Sequence, residues 1–194
     1  MMMRTMAGLG AVVVSVSVLA AACAPTAAQS AGGGDGAGVA RGQYLVTIGG
    51  CNDCHTPLKM GPKGPEPDMS RMLSGHPEQM AITAPARVNG PEWMAATSVT
   101  GTAISGPWGV SFTANLTPDQ NTGLGIWTEE MFIKAIRTGR HMGASREILP
   151  PMPWFNYARM SDADLKAVYA YLRSVPPVHN RVPDPLPPAS VATN

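Results

Sequence analysis

A chain of 194 residues whose 14 Lys and Arg nearly balance its 13 Asp and Glu, for a formal charge of +1, has room for one domain with appendages. That balance, with no block of like charge, gives no electrostatic reason to expect nucleic acid as a partner. Gly (21) and Pro (19) are abundant, so much of the chain is expected as loop rather than as long regular elements.

Residues 1–22 read as an export signal. Arg4 stands ahead of an apolar run from about Leu9 to Ala22 that is short for a membrane span, and small residues follow it. The end of that run, Leu19-Ala20-Ala21-Ala22-Cys23, resembles the lipobox of bacterial lipoproteins, with Ala20 where Leu is preferred. The resemblance implies a lipidated Cys23 as the first mature residue; cleavage near Ala28 or Gln29 would instead discard it. Residues 23–39 are rich in Ala and Gly and have almost no apolar bulk, which predicts a flexible tether. A globular domain over residues 40–184 would follow, and residues 185–194 form a Pro-rich tail. Both routes put the domain on the periplasmic side of a bacterial membrane, lipid-anchored in one and soluble in the other.

A first helix is expected from Val39 to Ile48, with Tyr44, Leu45 and Ile48 as its apolar face and Gly42 permitting a close helix contact. It leads into Gly49-Gly50-Cys51-Asn52-Asp53-Cys54-His55. On a helix Cys51, Cys54 and His55 occupy positions i, i+3 and i+4 and share a face. A flat macrocycle on that face could receive two thioether bonds while His55 points a ring nitrogen at its iron, which is the logic of c-type haem attachment at C-x-x-C-H. In an exported chain two spare thiols at this spacing would be oxidised or occupied. The rival readings are weaker. A structural zinc site needs four ligands, and the chain offers no further Cys pair or H-x3-5-H. A redox C-x-x-C expects a βαβ setting, and no Val/Ile-rich strand precedes Cys51. A plain disulfide leaves His55 without a role.

From Thr56 to Gly125 the sequence shows little periodicity. The runs MGPKGPEPD, LSGHP and SGPWGVSF suggest a large loop around the haem edge with a short hairpin, although an uninterrupted loop of that length is unusual. Asn115-Leu116-Thr117 matches a glycosylation sequon and is read as a turn. A second helix starts after Thr128 as N-cap, carries Glu129 and Glu130 at its positive end, and stops at Gly139. Trp127 and Phe132 have staple spacing, and Phe132, Ala135 and Ile136 form the buried stripe.

The next stretch is Ile148-Leu149-Pro150-Pro151-Met152-Pro153-Trp154. A proline bars its predecessor from helical geometry, so Pro150 and Met152 are expected to be extended. Such a stiff loop holds a thioether at a fixed distance from a metal, which makes Met152 the candidate second axial ligand; a proline-rich surface turn is the plain alternative. Met160 precedes Ser161 at staple spacing from Leu165, which explains it without iron. His76, His141 and His179 are the remaining rivals, His141 being the best placed. A third helix begins at Ser161 with Asp164 in a capping-box arrangement. Leu165, Val168, Tyr169 and Leu172 repeat at helical spacing, and Pro176-Pro177 ends it.

C-x-x-C-H, the PPMPW loop and the final SDADLKAVYAYLRS together resemble the class I cytochromes c. The segment ANLTPD, followed by TGLGIWTEEMFIKAIRTG, is similar to the haem domains of membrane-bound bacterial dehydrogenase cytochrome subunits. The resemblance covers roughly residues 40–184. It implies an all-α class I cytochrome c fold, with few helices around one covalently bound haem c and a long loop insertion between the CxxCH helix and the second helix. First and last helices would cross near the haem. It also implies Cys51 and Cys54 as thioether attachments and His55 and Met152 as axial ligands. Two departures stand out: one haem motif where those subunits often carry several, and an interval between His55 and the second helix longer than in the smallest family members. Nothing in the sequence places the carbonyl that would fix the His55 tautomer, for which Pro107 is a candidate; Arg140, Trp108 and Trp154 are candidate propionate donors, against the reading of surface or packing roles.

The expected function is transfer of single electrons between redox partners, with no catalytic side chain. Donor and acceptor would be redox proteins such as a dehydrogenase or a terminal oxidase, and the membrane would be met through a lipid anchor at Cys23. Arg137, Arg140, His141 and Arg146 form a candidate basic docking rim, against the reading of an ordinary solvated surface. Two alternatives stay open: a haem enzyme or gas-binding protein with an open axial position, and a fixed, non-catalytic subunit of a larger dehydrogenase or oxidase complex.

Overall fold

The computed structural model describes residues 35–86 and 92–188. The predicted export signal, Cys23, residues 23–34 of the tether and the last six residues of the tail lie outside the described residues. The described chain forms helices α1 (Asp35–Ile48), α2 (Cys51–His55), α3 (Glu129–Thr138), α4 (Trp154–Tyr157) and α5 (Asp162–Ser174). It also forms strands β1 (Leu58–Gly61), β2 (Gly64–Pro67), β3 (Ala96–Thr97), β4 (Ala103–Gly106) and β5 (Gly109–Phe112). No described helix is long and apolar enough to cross a membrane.

The helices form where local chemistry asks for them. The Thr128 hydroxyl accepts from the Met131 amide at 3.2 Å to cap α3, which ends at Gly139 in the left-handed region (φ 65). The Ser161 hydroxyl caps α5 by accepting from the Asp164 amide at 3.1 Å, and Val175, the residue before Pro176, is extended. Leu165, Val168 and Leu172 are buried on one stripe of α5. Each such side chain contributes about 1.5–3 kcal/mol by leaving water. Helix α1 starts four residues ahead of the predicted Val39 and packs across α5. At that crossing Gly42 lies against the Ala167 carbonyl and the Tyr171 Cβ, where no side chain fits. Arg41 Nε donates to Asp164 Oδ1 at 3.0 Å beside the crossing. Val46, Val168 and Leu172 join Leu73, Leu124, Phe132 and Val175 in the main core.

The all-α class I fold expected from the sequence is overturned by two antiparallel sheets, which lie within the interval read as a long loop. The first is the β1–β2 hairpin, with Leu58 opposite Pro67 and Gly61 opposite Gly64. The second has the order β3-β4-β5, with Ala103 opposite Phe112 and Gly106 opposite Gly109. The physical reason is burial on both faces: Ala103, Ile104 and Ser105 of β4 and all four residues of β5 are buried. A strand covered on both sides shows no alternation of polar and apolar residues. Its serines are made tolerable by hydrogen bonds, as Ser105 Oγ donates to Ala86 O at 3.3 Å. Leu186 exchanges backbone bonds with Val110 at 2.9 and 3.0 Å and so covers part of the outer edge of β5.

Two buried asparagines lock the inserted region to the helical part. Asn180 donates from Nδ2 to the carbonyls of Ser74 (2.7 Å) and His76 (2.8 Å). Its Oδ1 accepts from the Glu78 amide (3.0 Å) and Arg71 Nη2 (2.8 Å). Asn115 folds its sequon into a turn, with Oδ1 accepting from the Thr117 amide (3.0 Å) and hydroxyl (2.7 Å), while Nδ2 donates to Val178 O at 2.8 Å.

Candidate functional site

The pair Gly49-Gly50 separates α1 from α2. Gly50 takes φ 66, a conformation that only glycine adopts without strain, and the chain restarts as a helical turn at Cys51. Cys51, Cys54 and His55 therefore lie on one turn. Cys51 packs against the main core and Cys54 is exposed. His55 is only 8 % exposed, and its Nδ1 stands 2.8 Å from Ala114 O. A carbonyl can only accept, so Nδ1 carries the proton and Nε2 keeps its lone pair. No described residue hydrogen-bonds Nε2. Burial pushes the imidazole pKa down, opposed by the Ala114 contact, so the ring is neutral. This is the tautomer that a histidine needs to bind a metal through Nε2. The His55 carbonyl accepts from the Gly75 amide at 2.8 Å.

The two thiols differ in exposure but share the direction of their shift. Burial pushes the Cys51 thiol up to about 11, and Cys54 is raised by burial and by the neighbouring Asp53 carboxylate. The two are not joined by a disulfide, and among the described residues no three His, Cys, Asp or Glu side chains gather as a metal cluster.

The Met152 segment is brought to the same region. Ser111 Oγ donates to Pro150 O at 2.6 Å, and Ser111 lies three residues before Ala114. On the other side Tyr157 OH donates to Gly49 O at 2.6 Å, two residues before Cys51. Trp154 lies against Gly139 at the end of α3. Met152 is half-buried and outside both described core clusters, whereas Met160 packs against the main core. His76 is fully buried with Nδ1 at 2.9 Å from Thr102 Oγ1 and Nε2 at 2.9 Å from Met80 O, so neither nitrogen is free for a metal. His141 packs edge-on against Trp127 with ring centroids 5.1 Å apart, and the exposed His179 faces Asp119 at 3.6 Å.

No family model matches the chain. It is 32% identical over 154 residues to the cytochrome c subunit of the alcohol dehydrogenase (quinone) of Gluconobacter oxydans, a match covering 77% of this chain and 24% of that subunit. It is 32% identical over 135 residues to the fructose dehydrogenase cytochrome subunit of Gluconobacter japonicus, covering 69% of this chain and 20% of that one. This chain is a homologue of bacterial dehydrogenase cytochrome c subunits. It is also 31% identical over 141 residues to the gluconate 2-dehydrogenase cytochrome c subunit of Pantoea cypripedii, covering 72% of this chain and 24% of that one. The chain thus spans about a quarter or less of the length of these relatives.

In this cytochrome homologue, the carbonyl on His55 Nδ1 is that of Ala114, not the sequence candidate Pro107. Four buried side-chain atoms have no partner among the described residues: Arg71 Nε, Ser74 Oγ, Trp108 Nε1 and Thr113 Oγ1. All four can donate a hydrogen bond, and two can do nothing else. Thr113 adjoins Ala114, and Ser74 adjoins Gly75, so two of them border the two contacts on His55. The sequence singled out Trp108; the other three carry no spacing signal. Much of the predicted basic rim is paired internally. Arg137 bonds Ala158 O and, at 2.5 Å, Asp162, while Arg140 reaches Ser145 O at 3.1 Å and Glu147 at 3.4 Å.

Proposed function

We propose that this chain is a c-type cytochrome carrying single electrons for a dehydrogenase. It does so through one haem c joined at Cys51 and Cys54, with His55 and Met152 as axial ligands. The observation that carries the reading is the neutral His55 on C-x-x-C-H, its Nδ1 proton on Ala114 O and its Nε2 lone pair unengaged. When bound, the haem supplies an iron centre that changes oxidation state. The chain's own residues do the rest. Cys51 and Cys54 fix the orientation of the group, and Ala114 holds the imidazole in the ligating tautomer. The soft thioether of Met152 favours the reduced metal. The unpartnered atoms Arg71 Nε, Ser74 Oγ, Trp108 Nε1 and Thr113 Oγ1 fit a group that brings carboxylates, since a buried donor left unpaired costs about 1–3 kcal/mol.

A dehydrogenase partner is supported by the relatives, which are named as cytochrome subunits of such enzymes. We place the domain, residues 40–184, on the periplasmic side of a bacterial membrane, held by a lipid on Cys23 through the tether 23–39. The deciding experiment is a reduced-minus-oxidised spectrum and intact mass of the protein exported with haem-maturation machinery, repeated on Met152→Ala. One added haem, and a Met-dependent band lost only in the variant, support the reading. A chain without added tetrapyrrole overturns it, and a band that survives Met152→Ala moves the ligand to another side chain. Ready binding of carbon monoxide by the reduced wild type would turn the reading to a gas-binding protein.

A further inference from the structure

The run Leu149–Pro153 cannot hold itself in place. Pro150, Pro151 and Pro153 have no amide hydrogen, and no backbone amide from 149 to 153 donates a bond to the described backbone. Backbone bonds hold its flanks, Ile148 N to Gly139 O at 2.8 Å and Asn156 N to Pro153 O at 2.9 Å, so side-chain bonds must place the run between them. Two hydroxyls do this, each bonded to a backbone carbonyl at 2.6 Å. Ser111 Oγ binds Pro150 O, two residues before Met152, and Tyr157 OH ties the short α4 to Gly49 O. The far ends of both bonds are informative. Ser111 sits on β5, whose continuation carries the Ala114 carbonyl that orients His55. Gly49 directly precedes the turn at Gly50 from which Cys51 starts. The methionine segment is thus pinned to the two pieces of chain that present the attachment motif, one pin on each side of Met152.

We propose that Ser111 and Tyr157 are positioning residues that hold Met152 on the iron. This rests on the reading of Met152 as axial ligand. Removing either hydroxyl leaves the core intact and loosens the thioether, so that an added ligand competes with it more easily. A single hydrogen bond of this kind is worth about 1 kcal/mol, or about fivefold in an equilibrium.

The test uses the haem-loaded full chain and imidazole as the competing ligand of the ferric protein. Tyr157→Phe and Ser111→Ala should each tighten apparent imidazole binding about fivefold, and the double variant about 25-fold. Tyr169→Phe is the control. It removes an equivalent bond, Tyr169 OH to Trp127 O at 2.6 Å, from a place that carries no part of the site, and should leave imidazole binding unchanged. Ser111→Thr retains a hydroxyl and should behave as wild type. The proposal is overturned if Tyr157→Phe and Ser111→Ala match Tyr169→Phe while Met152→Ala binds imidazole far more tightly than wild type. If Met152→Ala itself binds imidazole no more tightly, the assignment of the ligand fails and this proposal with it.

Discussion

The crossing of α1 and α5 makes a sharp test, because two glycines of one helix should respond to the same substitution with opposite signs. A Cβ at Gly38 would meet nothing within 4 Å. Gly38→Ala should therefore gain the full propensity difference, about 1 kcal/mol. Gly42→Ala gains the same propensity, but its Cβ would press into the Ala167 carbonyl, a backbone atom that no side-chain rotation can move aside. Overpacking of this kind costs about 1–3 kcal/mol. Separating the helices also loosens Val46 against Val168 and Leu172, each methylene-sized loss adding about 0.8 kcal/mol. The net for Gly42→Ala is a loss of about 2 kcal/mol, and the two variants should differ by about 3 kcal/mol. With a urea slope of about 2 kcal/mol/M, their midpoints should lie about 1.5 M apart. Urea unfolding of the haem-loaded protein, followed by far-ultraviolet circular dichroism, measures this directly. A midpoint for Gly42→Ala equal to or above that of Gly38→Ala would refute the close crossing.

Thr128→Ala removes the acceptor for the Met131 amide and should cost about 1 kcal/mol in the same assay; no loss would mean that the start of α3 is held by other contacts. Asn180→Ala strips partners from two carbonyls, one amide and Arg71, and should cost about 3 kcal/mol and expose residues 71–86 to limited proteolysis. An unchanged cleavage pattern would sink that role. His76 has its pKa lowered by burial and by Arg71, against the opposing Met80 contact, so the folded state binds fewer protons than the unfolded. Its contribution is complete above the unfolded value of about 6.5 and is lost as pH falls below it. The drop in urea midpoint from pH 7.5 to 5.5 should be smaller in His76→Asn than in wild type, and equal drops would contradict the buried neutral ring.

What was legible in the sequence is what short-range chemistry decides. The caps at Thr128 and Ser161, the stop at Gly139 and the stripe through Leu165, Val168 and Leu172 depend on neighbours within one or two turns. The one-turn grouping of Cys51, Cys54 and His55 follows from spacing alone. A short hairpin is expected from MGPKGPEPD or SGPWGVSF, and β1–β2 and β4–β5 fall on those runs, but the extent of two sheets is hidden for the opposite reason. β4 and β5 are covered on both faces, β3 has two residues, and β2 contains Pro65 and Pro67, so neither periodicity nor propensity marks them. Ala114 was missed because it acts through its carbonyl, which every residue possesses. Ser111 and Tyr157 reach backbone carbonyls 39 and 108 positions away, at distances for which no spacing rule exists. Helix α1 extends upstream into Gly36 and Gly38, where composition argues for a tether and backbone hydrogen bonding wins.

The inserted region is best understood as part of the site rather than as an ornament on a helical domain. A structureless interval of that length would leave many backbone groups to water and impose no geometry on its neighbours. Folded into two sheets, it meets His55 at two points, through Ala114 O on the ring and Gly75 N on the backbone carbonyl. The same strand that ends near Ala114 reaches Pro150 through Ser111. A contact that fixes a tautomer must hold its acceptor to within a few tenths of an ångström, and Ala114 follows β5 directly after Thr113, whose amide bonds Thr102 O at 2.9 Å. The strands therefore supply the rigidity that the attachment helix, only five residues long, cannot generate for itself.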